Sequence, residues 1–105
     1  MSIPTTNNAV DVFHQATDKR SWDASATLTD VPCYIEPLSA EKAMMYGTER
    51  AYDSYQIFCN VLDIRNGDKL VDQQGVEYFV HGFKKFNYNT DIENHMEVIA
   101  YQNAL

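Results

Sequence analysis

The groups in this sequence that could carry chemistry are three histidines, two cysteines, fifteen carboxylates and one Ser-x-x-Lys spacing. Ser39-x-x-Lys42 has the spacing with which some serine enzymes set a lysine beside a nucleophilic hydroxyl, but the Ser-Asp-Asn and Lys-Thr-Gly elements that accompany it there are missing. A helix N-cap explains Ser39 completely. His14, His81 and His95 lie on three different strand-like segments. None has another ligand at a metal-binding spacing, although Glu93 and Glu97 flank His95. Gly47, Gly67, Gly75 and Gly82 are too far apart to cradle a phosphate and read as turns or bulges. Cys33 and Cys59 sit in apolar stretches, Val-Pro-Cys-Tyr-Ile and Ile-Phe-Cys-Asn-Val, which suit buried reduced thiols better than a disulfide framework. The expectation is therefore a protein with no catalytic, metal or cofactor site, whose work is assembly with other proteins.

The totals narrow that work. A chain of 105 residues is one ordinary domain. With 45% hydrophobic residues, seven Tyr and five Phe, it is too apolar to be disordered and favours strands. Eight Lys and Arg against fifteen Asp and Glu give a net charge of −7, with no basic run, so ordinary phosphate-neutralising nucleic-acid binding is disfavoured. The first residues lack a basic region followed by an apolar stretch, and no segment reaches the length of a membrane span, which points to an intracellular protein.

The elements that must position these residues are mostly strands. Residues 1–9 are polar, with Pro4 and paired Asn, and read as a flexible arm; 10–105 read as a single domain. Val10 to His14 is a first strand, and Thr17 to Ser25 a polar loop carrying the lone Trp22, which either folds back on a core edge or anchors an interface. Thr27 to Pro37 is strand-like, but Pro32 and Pro37 cannot donate to a ladder, which predicts a sheet edge or a bend. Ser39 to Gly47 changes to a helical period and predicts about two turns within an excursion, residues 37–53, that is long for so small a domain. Met44, Met45 and Tyr46 on it either fill core or offer an adaptable apolar surface. Strand signals return over Tyr55 to Val61 and Leu62 to Ile64. The turns Asn66-Gly67 and Gln73-Gln74-Gly75 follow, then Val76 to Phe86 with a bulge or bend at Gly82, a polar loop from Tyr88 to Asn94, and a last strand over Met96 to Tyr101. The fold class predicted is all-β: a small five- to six-stranded barrel with one short helix in the excursion.

Three motifs occur in a familiar order: Cys33-Tyr34-Ile35-Glu36-Pro37-Leu38-Ser39-Ala40-Glu41, then Ile64-Arg65-Asn66-Gly67-Asp68-Lys69-Leu70, then Gly75-Val76-Glu77-Tyr78-Phe79-Val80. Together they resemble the head–tail joining proteins of tailed bacteriophages, over about residues 10–101. The resemblance implies a small β-barrel forming a dodecameric homo-oligomeric ring beneath the portal and adaptor. Such a ring closes the filled head and offers a surface to the tail, in the virion, after synthesis in the host cytoplasm. DNA would pass its acidic channel without specific binding. The neutral N-terminus departs from the family's often basic start and leaves adaptor and tail-terminator roles open. On this reading the protein-interface residues are Trp22, Pro37, Leu38, Glu41, Met44, Met45, Tyr46 and Tyr52. The contrasting reading is a monomeric SH3-like binding module with Trp22, Tyr46, Tyr52 and Tyr55 as an aromatic recognition surface.

Overall fold

The computed structural model describes residues 6–39, 41, 44, 53–86 and 95–102. Six strands follow in chain order: β1 (Asn8–Phe13), β2 (Leu28–Pro37), β3 (Ser54–Cys59), β4 (Lys69–Asp72), β5 (Glu77–Phe86) and β6 (His95–Tyr101). All neighbouring pairs are antiparallel, and the order β1-β2-β3-β6-β5-β4 closes on itself through β1 and β4. Closure leaves the barrel with no end strands, which is how small all-β domains hide most of their ladder groups. The all-β barrel expected from the sequence is thus the fold. Of the helix expected over Ser39–Gly47, Glu41 and Met44 are helical, Ser39 is not, and the other positions lie outside the described residues.

Alternation along the strands fills the interior. Val10 and Val12 on β1, Val31 and Cys33 on β2, Ile57 and Cys59 on β3, Leu70 on β4, Tyr78 and Val80 on β5, and Met96, Val98 and Ala100 on β6 form one core with Ile64 from the β3–β4 connection. Leu62 to Ile64, expected as strand, is instead loop; Ile64 is nevertheless buried, so its apolar signal marked a core plug rather than a ladder. β1 starts at Asn8, ahead of Val10, because the polar Asn residues pair too: Asn8 lies opposite Cys33, and the Asn7 amide N–H donates to the Cys33 carbonyl at 3.0 Å.

The prolines do not put β2 at an edge; it runs between β1 and β3. Its two halves, however, have different neighbours, with the β1 pairing ending at Cys33 and the β3 pairing beginning there. In an antiparallel ladder successive residues point their N–H and C=O to opposite sides. Cys33 points to β1, so Pro32 points to the other side, just before β3 arrives, and Pro37 points to the β1 side, beyond where β1 ends. Among the described residues, each missing donor falls where no partner strand waits.

Candidate interaction surfaces

Trp22 is held by the fold itself. Its polar loop returns to form a bridge with Gln15, the indole Nε1–H donates to the Gly67 carbonyl at 2.8 Å, and the ring packs on Phe79 with centroids 5.1 Å apart. Lys69 Nζ lies 5.4 Å from the Trp22 centroid and 5.1 Å from that of Phe13, close enough for cation–π attraction. Trp22 thus folds back on the barrel edge, with the indole still half exposed. Gly67 makes this possible: its φ is +89°, and a Cβ there would fall 2.9 Å from Gln15 Cδ. Around Trp22 opens a shallow cleft of about 420 Å³ lined by Lys19, Asn66, Gly67, Phe79, His81 and Tyr101 among others.

The turn under this cleft is locked by a carboxylate that composition could not single out. Asp68, 1% exposed, accepts from the backbone N–H of Gln15 at 3.1 Å and of Arg65 at 2.9 Å, and receives His14 Nδ1 at 2.6 Å. His14 Nε2 in turn lies 3.4 Å from Asp63 Oδ2, and Arg65 grips Asp63 with two hydrogen bonds of 3.1 and 2.9 Å. The Arg65 guanidinium holds the Asp63 carboxyl below the usual carboxylate range, with His14 adding to the effect. His14 and Asp68 are 54 residues apart and meet only through the β1–β4 closure, which is why no spacing in the sequence announced them. Asp72 does similar work at the next turn, accepting from the amides of Gln74 and Val76 at 2.9 Å each.

Four further titratable groups serve the interior. Cys33 and Cys59 are free and face each other across β2 and β3. Burial pushes the Cys33 thiol up to about 11, with the Asp72 charge adding to it, and the Cys59 thiol up to about 12, with Cys33 adding. Both are protonated at neutral pH and so are poor nucleophiles. Tyr78 is pushed up to about 12, first by burial and then by Asp72. His95 is fully buried, stacked on Phe86 with centroids 4.6 Å apart and 3.6 Å from Glu97 Oε2. The three histidines stay on separate sites, and among the described residues no group of three His, Cys, Asp or Glu could hold a metal ion.

The start of the excursion is tied to the barrel wall. Leu38, 4% exposed, packs on Ile99 outside the main core, and its N–H donates to the Ser54 carbonyl at 2.9 Å. Pro37 is exposed at the end of β2, Glu41 is exposed, and Met44 is 81% exposed, a large apolar side chain turned to solvent. Met45, Tyr46 and Tyr52 lie outside the described residues. The described interface residues thus form two separate sets, Trp22 with the cleft, and Pro37, Leu38, Glu41 and Met44 at the excursion.

Sequence reasoning missed a third surface, the far half of β5. Gly82 pairs with Ile99 across a bulge after Val80, and Phe83, Lys84, Lys85 and Phe86 continue opposite Val98, Glu97, Met96 and His95. Phe83 is 39% exposed, and both lysines are exposed, Lys84 lying over Phe86 at 5.2 Å and Lys85 over Phe83 at 5.5 Å. The Phe-Lys-Lys-Phe run was the available signal: an alternating core strand would not carry adjacent lysines.

A closed, antiparallel, six-stranded barrel defines the architectural class. It is shared with a solved protein: the structure is similar to the phage-like element PBSX protein xkdH from Bacillus subtilis, with a TM-score of 0.57 and 22% sequence identity over 90% of this chain and 91% of that one. At that identity the likeness establishes the fold. No family model and no curated protein matches the sequence.

Proposed function

We propose that this chain is a structural subunit of a phage or prophage particle, and more narrowly a connector subunit that forms a ring between the portal or adaptor and the tail. The observation that carries the proposal is the barrel shared, nearly end to end in both chains, with a protein of a phage-like element. The three ordered motifs that resemble head–tail joining proteins support the same reading. In the ring, the excursion would supply contacts between subunits or toward the channel, with Met44 as an exposed anchor. The net charge of −7 suits a channel wall that does not retain passing DNA. Closure of the filled head and docking of the tail would follow at the head–tail interface, with no cofactor and no catalytic step.

The test is electron microscopy of particles from cells in which the gene is deleted. Filled heads that lose DNA or fail to take tails are expected. Intact, infectious particles would overturn the connector role. The cleft beside Trp22 favours one second reading, a monomeric small-barrel module that binds a peptide there. That reading predicts a monomer in solution and normal particles in the deletion.

A further inference from the structure

β5 outruns its partner on one side. Its pairing with β4 spans Glu77 to Phe79, and Val80 adds a last exchange, donating to the Asp68 carbonyl and accepting from the Gly67 amide, both at 2.9 Å. Beyond Val80, among the described residues, β6 lies on one side and no strand on the other. The bulge sets which groups are left over. Val80 points toward β4, His81 and Gly82 share Ile99 as their partner on β6, and Lys84 and Phe86 stand opposite Glu97 and His95. Alternation then aims the N–H and C=O of Phe83 and Lys85 at the open side.

Three properties say what would cover this edge. First, an edge of free backbone groups takes an extended chain by strand addition. Second, the edge is basic within a chain of net charge −7, with Lys84 toward the outer face and Lys85 toward the barrel mouth. Like charges directly opposite each other are destabilising, so the lysines oppose pairing with the same edge of a second copy and favour carboxylates. Third, a strand laid beside β5 would continue the line of β4 and run into the cleft at Asn66, Gly67 and His81, where Trp22, Phe79 and Tyr101 offer aromatic surface to one apolar side chain.

We infer that the Phe83–Lys85 edge of β5 is a docking site for an extended acidic segment of another protein, which adds as a strand, sets carboxylates against Lys84 and Lys85, and places an apolar residue in the Trp22 cleft. The inference stands apart from the connector reading, since it needs the edge and its charge and not a ring.

The probe is a blocked peptide alternating glutamate with valine and ending in phenylalanine, titrated into the full isotope-labelled chain and followed by amide NMR and hydrogen exchange. The amides of Phe83 and Lys85 should shift and become protected, with indole shifts at Trp22. Lys84→Glu with Lys85→Glu, exposed changes that leave the core intact, should weaken binding at least about tenfold, and so should a peptide with lysine in place of glutamate. Shifts elsewhere, or equal binding of the lysine peptide, would overturn the inference. So would protection of both amides in the free chain that grows with protein concentration, because a second copy would then be the occupant.

Discussion

Two of the places where a strand runs past its neighbour, β2 beyond β1 and β5 beyond β4, are treated differently. On β2, Ile35 points its backbone to the side that β1 has already left, yet both groups are satisfied: the Asn7 side chain donates to the Ile35 carbonyl at 3.0 Å and accepts from its N–H at 2.9 Å. One carboxamide imitates the missing strand, and Pro37, next on that side, has no N–H to satisfy. On β5, no described residue gives Phe83 and Lys85 such cover, and two lysines stand where β2 meets the Asn7 amide and ends in a proline. Finishing one edge while charging the other is the pattern expected when the first is purely structural and the second is kept for a partner.

The largest effect is expected from alkali, and it falls on the finished side, where Cys33 on β2 faces Cys59. Both thiols and Tyr78 are neutral when protonated, with folded-state values of about 11, 12 and 12 against ordinary values of 9.0, 9.0 and 10.0. Their stabilising contribution is complete below pH 9 and is lost as pH rises through 11 to 12. Urea unfolding at pH 8 and pH 11 should show a marked fall, reduced in Cys59→Ala relative to its own value at pH 8. An unchanged midpoint would refute the buried-thiol account.

Next in size is Asp68→Ala, which strands the amides of Gln15 and Arg65 and frees His14; a loss of about 3 kcal/mol is expected in denaturant melts. Because the Asp68 carbonyl closes the last β4–β5 exchange, Val80 should also lose amide protection, lengthening the open edge. Proline scanning then separates the two sides of β5: Lys84→Pro removes a donor to β6 and should cost about 2 kcal/mol or more, whereas Lys85→Pro removes one from the open side and should cost under about 1 kcal/mol. Equal costs would mean that the edge is covered. Asn7→Ala should cost about 1 kcal/mol and speed exchange at Ile35, turning the finished edge into a second open one.

Much of this was legible in the sequence. Alternation marked the strands at Val76–Phe86 and Met96–Tyr101, residue type marked Thr27–Pro37 and Tyr55–Val61, Asn66-Gly67 and Gly75 fixed their turns through positive φ, and Gly82 marked the bulge. What escaped depended on closure. Prolines read as edge markers because a sequence does not show that β2 changes partners midway. Trp22 was open between two roles because its acceptor, Gly67, comes 45 residues later. Asp68 was one acid among fifteen until the barrel brought Gln15 and His14 to it. The surface on β5 was missed because it is the register that leaves Phe83 and Lys85, among the described residues, with a strand on one side only.

That register hangs on one extra residue. Without the bulge, Phe83 would stand opposite Glu97 rather than Val98, and every side chain out to Phe86 would change face. The far end of β5 therefore behaves as a parity device. Lineages of this protein can lengthen or shorten it in steps of two and keep its pattern, whereas a single-codon insertion or deletion would turn the hairpin inside out while leaving its composition almost untouched.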